Sequence, residues 1–358
     1  MKHEKKSDTF GNNEANITGR TMRNEVNMIK SNYSIRLDKE LESIATLKNG
    51  QQATIETVNA YGEHFSDLNG LMDLISNKYG DKHHHPLTGP INIEGAKAGD
   101  VLKVNINNID ISISGQALSK SAGIAPIKVN EFSDRAPIIS THKRNSKYIK
   151  YMNGMWLKYR PMLGIIGTAP KEGVIKTGHA AKTGGNLDLP FISQGCSVYL
   201  PVEIDDAGLY VGDAHAAQGY GELGGIALEA SAIVDITVNV LKPKIKWDNI
   251  VVVGKEPLSD KTALGVVGVG QTFESLNEAV YDSYSGAINI VSALCPTLNK
   301  GYVCNVITAI GHSMNGQAFS KTSESTCIVN VLEDDLRILK KDEGLDIRKE
   351  IDTILFEL

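Results

Sequence analysis

Four cysteines in 358 residues, Cys196, Cys295, Cys304 and Cys327, are too few and too scattered for a disulfide framework, and none stands in a Cys-x-x-Cys pair. A cysteine-built zinc site is excluded on the same ground, and reduced, buried thiols are the expectation. Aromatic residues make up only 6% of the chain, and 37 Lys plus Arg face 42 Asp plus Glu, so no basic stripe interleaved with aromatics offers itself to nucleic acid. No apolar run approaches the roughly 18 residues a bilayer span requires. The most apolar segment, Met162 to Gly167, is broken by glycine and follows Arg160-Pro161. Met1-Lys2-His3-Glu4-Lys5-Lys6 leads into Asn-rich polar sequence rather than an apolar signal core. The expectations are therefore no nucleic-acid partner, no membrane partner and a cytoplasmic location. No glycine-rich loop follows a strand and opens a helix, which removes support for a nucleotide cofactor, and no Gly-x-Ser-x-Gly elbow is found.

What the chain does contain is a succession of short alternating segments. Residues 1–30 are polar and read as a flexible arm, because they cannot bury enough apolar surface to offset the entropy of ordering. Beyond them, residues 53–58, Leu102-Val104-Ile106, 162–167, 197–204 and Val234-Ile236-Val238-Val240 carry strand patterns between turn signals. The fold class expected is mainly β, a sandwich or barrel body over 31–259, with two β subdomains at about 31–160 and 161–259 as one subdivision. A small α+β unit over 260–332 follows. There, apolar residues from Phe273 to Val291 recur at helical spacing behind a capping Thr272, a second helix fits 301–310, and 311–316 reads as a turn. Residues 333–358 are expected to form a charged amphipathic C-terminal helix.

The chemistry is densest in Gly212-Asp213-Ala214-His215-Ala216-Ala217-Gln218-Gly219-Tyr220-Gly221-Glu222, where two carboxylates and an imidazole stand among small residues. On a strand, the i, i+2 spacing of Asp213 and His215 points both side chains to one face, and the glycine turn brings Glu222 back toward them. A Gly-rich hairpin with ordinary surface polars is the plain alternative. Glu56 sits on a strand ahead of a His-rich loop, His83-His84-His85-Pro86-Leu87-Thr88-Gly89-Pro90, whose prolines rigidify it. In Gly184-Gly185-Asn186-Leu187-Asp188, Asn186 and Asp188 share a face if the chain is extended. His312 beside a glycine reads as structural, and the basic cluster at 143–150 as a solvated face.

Taken in order, His85-Pro86-Leu87-Thr88-Gly89-Pro90, Gly184-Gly185-Asn186-Leu187-Asp188, Val211 to Gly219 and Gly221-Glu222 resemble the acetamidase/formamidase family over residues 33–332. The resemblance implies a mostly β, oligomeric enzyme, here expected as a homodimer, that releases ammonia and a carboxylate from small amides with the help of a divalent metal. Carried over by position, Asp213 and His215 are metal ligands, with His85 and Glu56 as further ligand candidates. Glu222, Asp188 and Asn186 are then the catalytic candidates. Tyr220 departs from the pattern, standing where an acidic residue is expected, and leaves substrate preference open.

An amide is a poor electrophile with a poor leaving group, so its hydrolysis needs an activated water, a polarised carbonyl and a proton for the amine. Zinc is the first choice of metal and calcium the second. Glu222 as base with Asp213 and His215 as ligands is one division of labour, and Glu222 as ligand with Asp188 as base is the other. Nucleophilic attack by Cys196 or a serine ranks third. A non-catalytic β-sandwich protein that binds a metal or a small polar ligand remains the alternative function.

Overall fold

Val234, Ile236 and Val238 are fully buried while Ile233, Asp235 and Thr237, which alternate with them, stay partly exposed, so the strand Glu229–Pro243 keeps one face in the core. In the computed structural model of the chain, this strand pairs antiparallel with Val101–Gln116 near the middle of a 16-stranded sheet. The structure describes residues 28–62, 85–116, 138–141, 147–150, 155–223, 225–270, 275–316 and 325–357, together with 67, 69–71 and 73. The register of the long pair shifts between Ala230 and Ala232 and again between Asp235 and Ile236. Such irregularities bend a strand and increase its twist, which curls the sheet around its own apolar face.

From the long pair the sheet runs in one direction through Leu209–His215, Met162–Thr168 and Gly184–Asn186. In the other direction it runs through Ser197–Pro201, Ile250–Lys255, Thr262–Gly270, Ser325–Leu332 and His312–Asn315. The fold is thus mainly β, as its alternating segments require, and strands from 31–259 and from 260–332 hydrogen-bond within one sheet. Leu102, Val104, Ile106, Leu163, Ile166 and Val211 lie at 0% exposure in the main core, where each buried aliphatic side chain contributes about 1.5–3 kcal/mol.

The helices lie against the C-terminal strands. Ser275–Leu294 packs Ala279, Ala287, Val291 and Leu294 inward, and its backbone comes so close to the strand Thr262–Gly270 that a Cβ on Gly268 would stand 2.1 Å from Ala279 O. The second helix, Lys300–Ile310, is capped by Asn299.

Two local expectations change. The stretch 311–316 contains an edge strand, His312–Asn315, paired with Cys327–Asn330, and its polar residues are tolerated because an edge faces solvent. The C-terminal segment is two helices, Glu333–Lys340 and Ile347–Leu355, because Lys341 takes a left-handed φ of 56° and Asp346 caps a fresh start. Most of the expected arm, Thr272, His83, His84 and residues 143–146 lie outside the described residues. Ile29 bonds to the strand Gln52–Thr57 through Thr54 O at 2.9 Å. No helix among the described residues is long and apolar enough to cross a membrane.

Candidate active site

The strand Leu209–His215 runs beside Met162–Thr168 for its whole length, but its other edge changes partner. Leu209, Val211 and Gly212 lie against Ile91, Thr88 and Leu87, whereas Ala214 and His215 lie against Ala230 and Glu229. Asp213 falls at the change, with a φ of 53°, in the left-handed region that strand residues avoid. Between the register pairs Gly212–Ile165 and Ala214–Leu163 lies Gly164, where a Cβ would stand 2.4 Å from Asp213 Oδ2 and 2.6 Å from Asp188 Oδ1. The glycine leaves the space those carboxylates occupy. Nine non-glycine residues among those described have positive φ, and four of them, His85, Asp188, Asp213 and Glu222, belong to this one cluster. Left-handed backbone costs of the order of 1–3 kcal/mol per residue and collects where a site demands it.

His85 Nδ1 meets Asp213 Oδ1 at 2.8 Å, and His215 Nε2 lies 3.3 Å from the same oxygen and 3.2 Å from Glu229 Oε2. His215, Asp213, Asp188 and Glu229 are all buried, while Glu222 is half-buried. On the other ring nitrogen, His215 Nδ1 lies 2.7 Å from Gln218 Oε1, and Gln218 Nε2 donates to Asp188 O at 2.7 Å. Two sets of ligand atoms gather around His215: those of Asp213, His215 and Glu229, and those of Asp188, His215 and Glu222, each set within 4.8 Å of one another.

The electrostatics follow from burying four carboxyl groups beside two imidazoles. Burial and the Asp213 charge push Asp188 up to about 7. Burial and Asp188 likewise hold Glu222 well above the usual carboxylate range. Burial would also raise Asp213, but the His85 and His215 rings outweigh it and hold it below that range. Burial works against protonating His85, yet Asp213 lifts it to about 9. His215 is raised in the same sense against its burial, by Glu229 and Asp213.

The donor set fits a divalent cation. His215 Nε2 and Glu229 Oε2 are buried and have no hydrogen-bond partner among the described residues, although they stand 3.2 Å apart. Two ligand atoms about 2.1 Å from one ion, at about 90–110° to each other, lie about 3.0–3.4 Å apart. The observed separations of 3.2 and 3.3 Å fall in that interval. A cation would also add to the positive charge that the two imidazoles set against these four carboxyl groups.

Asp188, Asp213, His215 and Glu222 therefore share one cluster, with His85 at its edge as the hydrogen-bond partner of Asp213. Glu56 does not join them: it is on the partly exposed row of its strand and meets Lys30 Nζ at 3.3 Å. Asn186 is separated from Asp188 as well. It pairs with Ile165, whereas Asp188 lies beside Gly164, the next residue along the strand and so on the opposite face. The extended geometry that would align the two is broken by the φ of 46° at Asp188. Cys196 is buried in the main core, where desolvation pushes its thiol up to about 12. Glu229 is the member that pattern reading misses. The signal was a carboxylate between Ile226-Ala227-Leu228 and Ala230, where an apolar run has no reason to carry one.

A family model described as the Acetamidase/Formamidase family matches residues 22–182 and 171–258, a stretch that contains the whole cluster from His85 to Glu229. Over 271 residues the chain is 24% identical to a formamidase of Methylophilus methylotrophus, a match that spans 59% of this chain and 64% of the relative, less than two thirds of its length. Among solved structures, an acetamidase from Bacillus halodurans superimposes with a TM-score of 0.71 at 25% identity, covering 89% of this chain and 100% of that one. A recombinant predicted acetamidase/formamidase from Thermoanaerobacter tengcongensis gives 0.70 at 25% identity, covering 87% and 97%.

Proposed function

Because the chain belongs to the acetamidase/formamidase family, we propose that it hydrolyses short-chain amides of the formamide and acetamide type to a carboxylate and ammonia, with a divalent metal at His215. The observation that carries the metal is the convergence of Asp213 Oδ1 and Glu229 Oε2 on His215 Nε2 at 3.3 and 3.2 Å. Asp213, His215 and Glu229 would hold the ion. An imidazole nitrogen in a carboxylate set favours zinc over calcium, which takes oxygen ligands. When bound, such an ion polarises a carbonyl and lowers the pKa of water toward about 7.

The remaining groups do the proton work. Glu222 is the base: it closes on the same imidazole, is half-buried, and so stands between the buried ligands and the outside. It accepts the proton of the attacking water as the carbon–oxygen bond forms, and delivers it to the nitrogen as the carbon–nitrogen bond breaks. Asp188 shares this face, and His85 orients Asp213 rather than binding the ion itself. Asn186 and Glu56 have no part in the reaction.

The test is ammonia release from formamide, acetamide and propionamide by the purified full chain, metal-replete and after chelation. Release that chelation abolishes and zinc restores is the expected result. Turnover indifferent to chelation would remove the metal and keep the amidase. No ammonia from any of the three would favour a protein that only binds.

A further inference from the structure

Gln218 links the His215 ring to the Asp188 backbone and has no role in the scheme above. Its carboxamide lies between His215 Nδ1, at 2.7 Å, and the backbone oxygen of Asp188, also at 2.7 Å. A backbone carbonyl can only accept, so the Gln218 nitrogen must face Asp188 and its oxygen must face the ring. The ring nitrogen on that side must then carry a proton, and Nδ1–H donates to Gln218 Oε1. The lone pair available for a ligand bond is thereby assigned to Nε2, the atom aimed at Asp213 and Glu229.

The chain between the two residues is too firmly held for this contact to be incidental. Arg160 N donates to Ala216 O, Ala216 N to Leu228 O and Leu228 N to Ala217 O, so the backbone from His215 to Gln218 is tied to two neighbouring segments. At the other end, Leu187 N and Asp188 N both donate to Gly164 O, which fixes the carbonyl that Gln218 reads. We propose that Gln218 is a positioning residue that sets the orientation and ring-proton placement of His215 for metal binding, taking its own orientation from the Asp188 backbone. The proposal rests on the reading of His215 as a metal ligand. Groups that hold the second nitrogen of a ligating histidine alter metal affinity about 10–100-fold.

Two substitutions in the full-length chain separate this role from simple packing. Gln218→Met removes both bonds at nearly constant length. Gln218→Glu keeps an acceptor for Nδ1–H and withdraws the donor from Asp188 O. Zinc affinity, measured by competition with a chromophoric chelator, is expected to fall about 10–100-fold in Gln218→Met and to be retained in Gln218→Glu. In protein with isotope-labelled histidine, a hydrogen-bonded Nδ1–H proton, distinguished from Nε2–H by its couplings within the ring and assigned by its loss in His215→Gln, is expected in the wild type and in Gln218→Glu and absent in Gln218→Met. Wild-type zinc affinity in Gln218→Met, persistence of that proton there, or equal loss of affinity in both variants would overturn the proposal. A wild type that takes up no zinc would refute the metal reading instead. The ring-proton measurement needs no metal and still decides the part of Gln218.

Discussion

Gly164→Ala tests whether the pocket depends on the space that this residue leaves open. The added carbon would sit 2.4 Å from Asp213 Oδ2 and 2.6 Å from Asp188 Oδ1. An ordinary carbon–oxygen contact is about 3.3 Å, so the two carboxylates must retreat by roughly 0.7–0.9 Å. They move in preference to the backbone because they are side-chain ends, whereas Gly164 is held in register between two strands. Overpacking of this kind costs about 1–3 kcal/mol. Gly164 has no positive φ, so alanine returns about 0.4–1 kcal/mol by restricting the unfolded chain. The net loss of stability is roughly 0–2.6 kcal/mol, and the protein stays folded. Catalysis has no such offset: a displacement near 1 Å costs about 100-fold in rate, equivalent to about 2.7 kcal/mol of transition-state stabilisation. The assay is kcat/KM for formamide beside the thermal midpoint and the zinc affinity. An activity within a few-fold of wild type would show that the carboxylates flanking Gly164 are not at the reacting centre.

Three further substitutions separate members of the cluster from Glu56 outside it. Glu222→Gln should keep the fold and zinc affinity while kcat for formamide falls by about 100- to 10,000-fold, the range of a lost general base. Full activity would take Glu222 out of that role. Glu229→Gln should weaken zinc binding by at least 10-fold by chelator competition, in line with the loss of one of three ligands; unchanged affinity would return the third position to Glu222 or Asp188. Glu56→Ala should leave both zinc affinity and kcat at wild-type values and shift stability by no more than about 1 kcal/mol, because its partner Lys30 is exposed and such pairs are weak. A lost activity in that variant would restore Glu56 to the site.

Strand periodicity was a reliable guide wherever one face of a segment is buried and the other is not, as in 229–243 and 101–107. It fails where the site itself does the burying. By phase Glu229 belongs to the outer row with Ser231, Ile233 and Asp235, yet it is 2% exposed because His215 lies directly across from it. Nothing in the alternation of 229–243 announces a partner that arrives from residue 215. Asn186 and Glu56 show the converse case, since the structure places both apart from the cluster. Each was promoted by an assumption of extended geometry or by its neighbours in sequence. The left-handed turn at Asp188 and the exposed pairing with Lys30 are decided by tertiary contacts. Asp213, His215 and Glu222 stood out because carboxylates and imidazole among glycine and alanine serve little structural purpose, and the ordered motifs around them pointed to the same pocket.

The change of partner along the strand Leu209–His215 also bears on when the proposed metal could be received. Asp213 and His85 are separated by 128 residues, and Asp213 reaches its position only where strands from three distant parts of the chain have met. Closing such long loops costs entropy that sheet formation must first overcome. An ion cannot nucleate this fold as it nucleates a small domain with ligands close in sequence. During synthesis no cage exists until Glu229 has left the ribosome and the sheet has closed around it. If the cluster takes the proposed ion, the folded chain would precede its metal, and the spacing of the finished ligand set, not the order of arrival, would select which ion stays.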